Sequence, residues 1–406
     1  LILAFIHIFF IVSILLIISK KQTILPAPYF WCFATSKIII GITIGYLFVE
    51  LKEGSDTLFL FSQGKMVANQ LNDGLGTYLE FIFQSQFPSF KSESRNLFFG
   101  KILSVPIIFT QGNFWLTNIY LSLLNFLAGL LLFKKLLEKY SDLKVQLLVS
   151  VFLLPSVQIW TSGIIKESIL VSFIYLIIVS LLYLSSSKMK LIPIALIIVC
   201  CFFIFNIKYY VLPPLLFGFI ILFLGVIKRK INLTRYMEFG LSVIGILATM
   251  LFSSLLQHHL DLSIIPQSLH DNYQTIIYNS FLKNIFILSF DPTWDSILIY
   301  SPLSLMTGLF RPLLFEGSMF NILYWIESTV AICFTCYSFY YWKRWRFSYV
   351  ILAALAFILT LALFLPFATG NFGTLARYRV IYWPLFLFMI SIIPLNDFVS
   401  FRQRIG

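Results

Sequence analysis

Charge is scarce in this chain. Of its 406 residues only 11% are Asp, Glu, Lys or Arg, against about a quarter in ordinary soluble domains, while 59% are hydrophobic. A water-soluble fold of this length has too little polar surface to hide so much apolar side chain, so that class is excluded. Cysteine and histidine are also few, five and four. Cys32, Cys200, Cys201, Cys333 and Cys336 all lie inside or beside apolar runs, which excludes a secreted disulfide framework. Cys333 and Cys336 have the spacing of half a zinc site without a second pair, and read as packed or lipid-facing thiols. His258, His259 and His270 lack the spacing of a helical metal pair, so no metal centre is expected from them. The opening run 1–19 has neither a basic leading region nor a small-residue cleavage site, and is read as a spanning helix rather than a leader.

What is present in abundance is apolar and aromatic: 45 Phe, 20 Tyr and 8 Trp. In lipid every backbone polar group must be satisfied within its own segment, so apolar runs of about 18 to 25 residues are read as helices. The expected fold is all-α and polytopic, one transmembrane domain over 1–406. About eleven spans are placed near 1–19, 28–49, 111–133, 145–160, 169–187, 191–206, 211–227, 236–256, 318–341, 347–366 and 380–396. Re-entrant or interfacial helices are expected in two large outer loops, about 50–110 and 257–317.

Charge position tests that layout. The net charge of +12 is not gathered on one face, which argues against nucleic acid as a partner. With the amino terminus outside and the carboxy terminus cytoplasmic, the turns at 20–37, 134–144, 188–190, 228–235, 343–346 and 402–404 hold 18 of the 29 basic residues. They include Lys37, Lys188 and Arg346, and only Glu138, Asp142, Glu238 and Asp397 are acids on that side. Every turn then obeys the positive-inside rule. Counting the apolar stretch 297–314 as a further span would break it, so that stretch is read as re-entrant or interfacial.

Four polar patches fall on the other face. The first loop carries Glu53 and Asp56, candidates for a general base toward a sugar hydroxyl or for holding a divalent ion; an N-cap at Ser55 and Asp56 is the structural alternative. Pro155-Ser156-Val157-Gln158-Ile159-Trp160-Thr161-Ser162-Gly163-Ile164-Ile165-Lys166-Glu167 joins two spans with almost no loop, leaving Lys166 and Glu167 at membrane depth or its edge. Ions there are functional candidates unless they merely face water in a short interfacial turn. Phe310-Arg311-Pro312 with Glu316 offers a guanidinium fork for phosphate. Glu327 is the deepest acid, expected to pair with one of these cations. Finally Asn371-Phe372-Gly373-Thr374-Leu375-Ala376-Arg377-Tyr378-Arg379 reads as an anion cradle, a glycine-containing turn with two arginines behind it; anchoring to lipid headgroups is the alternative. Lys208 and Tyr209 form a weaker cation–aromatic cluster suited to sugar rings or headgroups, and Asp291 and Asp295 are further acids of the second loop.

These stretches carry a resemblance. The Glu53-Gly54-Ser55-Asp56 loop after an early spanning helix resembles the first outer loop of the C-superfamily (GT-C) membrane glycosyltransferases. The other three stretches resemble membrane proteins of bacterial polysaccharide gene clusters. The resemblance implies sugar transfer from a polyprenyl-phosphate-linked donor to a glycan or glycolipid acceptor at the outer face of the bacterial inner membrane. In it Asp56 matches the loop acid and Arg377 and Arg379 meet the lipid phosphate. A divalent cation such as Mg or Mn is the cofactor such chemistry leaves room for. The loop departs from the family's common acidic pair, since Ser55 precedes Asp56. An O-antigen-type polymerase and a transporter or flippase of lipid-linked glycans are the alternatives.

Overall fold

In the computed structural model, which describes residues 2–50, 56–83, 94–186, 190–231, 234–280, 282–344 and 348–405, the chain is helical throughout. Its only described strand-like pairing is a single bridge between Ile285 and Asn371. Among the described residues, eight helices are long and apolar enough to cross a membrane, and the bent pair Phe372–Arg379 and Trp383–Leu395 makes a ninth if counted as one span. Of the remaining expected spans, Leu191–Ile207 is an apolar helix of 17 residues. The stretch 144–160 is broken into Lys144–Leu148, a π-turn at Val149–Leu153 and Pro155–Trp160. Pro155 has no N–H to continue the ladder, which accounts for the break before it. Glu53, Lys188 and Arg346 lie outside the described residues.

The chain divides into two compact units. In the first, Leu1–Ser141 with Val157–Lys208, the expected first outer loop is itself mostly helical. Asp56–Asn69 lies against Ser94–Phe109, with Gly64 and Gly100 at the crossing: a Cβ on Gly64 would sit 2.8 Å from that of Leu103. Phe114–Lys139 is the central helix of this unit, packed on Ala27–Glu50 and Lys166–Ser186. Its polar residues hold the buried turn between Trp160 and Lys166, where Ser122 Oγ accepts from Gly163 N at 2.9 Å and Asn118 Oδ1 from Ile164 N at 2.8 Å. Lys37 is corrected by the structure. It stands in the interior of Ala27–Glu50, 2% exposed, and donates to Thr161 Oγ1 at 2.6 Å instead of facing the cytoplasm in a turn.

The second unit is Asp142–Ser156 with Tyr209–Gly406. Leu212–Lys230 and Trp294–Phe310 both pack on Tyr349–Ala368, and Ile322–Tyr340 packs on Trp383–Ile405. The expected second loop again contains helices, Ile265–Tyr278 and Trp294–Phe310. The latter approaches its neighbour closely enough that Ser304 Oγ donates to Leu363 O at 2.6 Å. At Gly308 a Cβ would lie 2.0 Å from Ala362 O, a backbone atom that cannot swing aside. Gly308→Ala is therefore expected to destabilise the protein by about 1–3 kcal/mol through overpacking. A thermal midpoint in detergent unchanged from wild type would contradict this close contact.

Candidate functional site

The site grows from the turn before Phe372–Arg379. Asn371 caps this short helix: its Oδ1 accepts from Gly373 N at 2.8 Å and Thr374 N at 3.1 Å, while its Nδ2 donates to Ser280 Oγ at 2.9 Å. The N–H groups expected to cradle an anion are thus engaged by Asn371 itself. Phe286 N donates to Gly370 O at 3.0 Å, which ties the turn to the segment before Trp294–Phe310. At Arg379 the helix stops, and the chain bends by 74° before Trp383 begins the next one. Arg377 and Arg379, two residues apart, are separated by about 200° around the helix axis, so they do not share a face. Arg377 is half-buried and Arg379 is 0% exposed.

Arg379 is held by one edge and one face. Nη1 donates to Arg311 O at 3.0 Å and Ser328 Oγ at 3.2 Å, and the guanidinium carbon lies 3.7 Å from the centre of the Trp383 ring. A cation over a desolvated indole is stabilised by about 2 kcal/mol. Nε and Nη2, the pair of donors that meets a carboxylate or phosphate at two points, have no hydrogen-bond partner among the described residues. A fully buried guanidinium with that edge unpartnered has two donors left to meet one oxyanion.

Arg311 shows what such an edge does when filled. Its Nε lies 3.0 and 2.9 Å from the two carboxylate oxygens of Glu316, and its Nη2 lies 2.6 Å from Oε1. Phe372 and Phe286 lie within 5.1 and 5.7 Å of the guanidinium carbon. The turn that aims Glu316 back at Arg311 uses two left-handed residues, Phe315 at φ 67° and Gly317 at φ 79°. Burial raises the Glu316 carboxyl pKa, but the Arg311 hydrogen bonds and the Leu313 N–H outweigh it and leave it below its ordinary value.

Glu327 is buried, as its position deep in Ile322–Tyr340 implied, yet it makes no direct ion pair among the described residues. Its carboxylate accepts from Ser156 N at 2.7 Å, Ser156 Oγ at 2.5 Å and Trp383 Nε1 at 2.8 Å. The structure thus brings Arg311, Glu316, Glu327, Asn371 and Arg379 into one neighbourhood of the second unit. Ser156 and Trp383, which complete it, carried no signal of charge. Tyr209 stacks on His259 with ring centres 6.2 Å apart.

In the first unit, Glu167 is 0% exposed and its Oε1 pairs with Lys208 Nζ at 2.6 Å, so the two charges meet inside the protein. Lys166 Nζ donates to Asn96 Oδ1. Asp56 is exposed in the first turn of Asp56–Asn69, where an acid meets the positive end of the helix dipole. Lys37 was the missed residue here. A cation within an unbroken apolar run is itself the signal that could have flagged it. Among the described residues, no three His, Cys, Asp or Glu side chains are grouped to hold a metal ion.

The Glu316 contact has a pH signature. Because its carboxyl is depressed on folding, the stabilisation is complete well above the ordinary value of 4.5 and is lost as pH falls through the lower folded value. Thermal midpoints measured from pH 7 to 3 should therefore fall more steeply for wild type than for Glu316→Gln. Parallel curves would contradict the assignment. No protein-family model, curated protein or solved structure matches the chain, so the site stands on its geometry alone.

Proposed function

We propose that this multi-pass membrane protein is a glycosyltransferase that takes a sugar from a polyprenyl-phosphate-linked donor at the outer face of the bacterial inner membrane, for cell-surface polysaccharide or glycoconjugate assembly. The observation that carries this reading is Arg379, a wholly buried cation at a helix break whose two-point donor edge has no hydrogen-bond partner among the described residues. A buried charge in a membrane segment is costly to hold unless it is used, and a phosphate on a lipid tail can arrive from the side. In this reading eleven crossings comprise the eight long apolar helices, Leu191–Ile207, the broken stretch 144–160 and the bent pair after Asn371. The amino terminus is outside and the carboxy terminus cytoplasmic, with Trp294–Phe310 re-entrant.

The chemistry assigned to it is displacement at the sugar's anomeric carbon. An acceptor hydroxyl on a glycan or glycolipid forms the new C–O bond, the bond from that carbon to the phosphate oxygen breaks, and the polyprenyl phosphate leaves with the electron pair. Arg379 stabilises the charge growing on the departing phosphate. The acceptor hydroxyl gives up its proton to a general base as the new bond forms.

A second reading has its own support: broken helices with buried charge also occur in transporters, where the helix ends face the substrate. Proteoliposomes loaded with undecaprenyl-phosphate-linked hexoses and a glycolipid acceptor separate the two. Wild type should form a new glycosidic bond, and Arg379→Ala should lose at least about 100-fold of that rate, the scale on which removing one charge-stabilising donor acts. Transfer that survives the substitution would remove the proposal; movement of the intact lipid-linked sugar without bond formation would replace it with transport.

A further inference from the structure

Arg379 and Glu327 lie against the same indole but do not touch. The carboxylate takes the Trp383 N–H at 2.8 Å, and the guanidinium lies on the ring of the same side chain, with its carbon 3.7 Å from the ring centre. Opposite charges this close inside a protein normally close into a two-point pair, as Arg311 and Glu316 do in the same unit. Here the carboxylate is turned away by three donors, two from Ser156 and one from Trp383. The result is a buried arginine that shares an indole with a carboxylate it does not pair with, and whose donor edge is unpartnered.

We propose that Ser156 and Trp383 act as a restraint on Glu327, withholding its carboxylate from Arg379 and so keeping the guanidinium edge open for an oxyanion. This deepens the reading of Arg379 as a phosphate ligand and rests on it. Glu327 is then a positioning residue with two effects. Its negative charge stabilises Arg379 within the apolar interior while no ligand is bound, and its absence from the fork leaves that edge to the ligand. If either restraint is removed, the carboxylate moves onto Arg379 and competes with phosphate from inside the protein. The same geometry distinguishes the two arginines: Arg311 is closed by Glu316, Arg379 is held open.

The restraint makes a prediction that loss of packing does not. Binding of farnesyl phosphate to the detergent-solubilised full-length protein is measured by calorimetry for wild type, Trp383→Phe, Ser156→Ala, and each of these combined with Glu327→Gln. Trp383→Phe keeps an aromatic face under Arg379 but removes the N–H, and should weaken binding at least about tenfold, within the range for coupled buried charges. Adding Glu327→Gln removes the competing carboxylate and should restore most of that loss. Ser156→Ala removes the hydroxyl that shares Oε2 with the indole and keeps the backbone N–H on Oε1, so its pair of variants runs the same cycle, with a smaller loss, should Trp383→Phe not fold. Folded double variants that bind no better than their single parents would overturn the restraint. Arg379→Ala reports separately on the phosphate reading: abolished binding supports it, whereas wild-type affinity would overturn that reading, and the restraint with it.

Discussion

The second unit is organised around the burial of one guanidinium. Arginine stays charged in proteins, so Arg379 cannot relieve its desolvation by giving up a proton and must be stabilised where it lies. The neighbourhood supplies this from four directions: the Trp383 face, the carbonyl of Arg311, the hydroxyl of Ser328 and the nearby charge of Glu327. The break after Arg379 presents a helix C-terminus, where a cation is favoured, and Trp383 opens the next helix with its ring against the guanidinium.

The packing around them follows from the same demand. The Arg311 carbonyl is available to Arg379 because Trp294–Phe310 ends there, and its close approach to Tyr349–Ala368 requires Gly308. Tyr382, the residue before Trp383, donates to Gly308 O at 2.6 Å and ties the break to this crossing. Beside the Asn371 turn, Tyr273 accepts from Leu288 N at 2.6 Å and donates to Phe286 O at 2.9 Å, fixing the strip that pairs with that turn. Its hydroxyl is buried by this strip, which raises its pKa and keeps it neutral as both donor and acceptor.

Much of this was legible in the sequence because lipid imposes a simple rule. Long apolar runs must be helices, and the eight long apolar helices among the described residues follow directly from composition. The polar stretches around Arg311, Glu316, Glu327 and Arg379 were also visible, since charges beside or within apolar runs need a reason. What the sequence hid was how partners divide. Arg377 and Arg379 look equivalent as a pair in text, but helical rotation buries only one. Asn371 looked like a ligand and is a cap, because its side chain sits within reach of its own helix's N–H groups. Glu327 was expected to meet a cation, and meets Ser156 and Trp383 instead, an outcome that depends on residues 171 and 56 positions away. Lys37 was misplaced for the opposite reason: grouping it with Lys20 and Lys21 ignored that it stands inside the apolar run that follows them.

The contrast between the two buried ion systems shows how similar residues come to different ends. Glu167 and Lys208 meet directly at 2.6 Å, so each answers the other's charge and the arrangement stabilises the fold around it. Arg379 and Glu327 are also of opposite sign and buried, yet the carboxylate is engaged elsewhere and the cation keeps two donors in hand. A structural pair gains most by closing, because a charge left uncompensated inside a protein costs several kcal/mol. An arrangement that forgoes closure, and uses a serine and an indole to do so, is one in which an open guanidinium edge is itself the feature being maintained. That is why Arg379, rather than the closed pairs at Glu167 or Arg311, is the residue on which the functional reading turns.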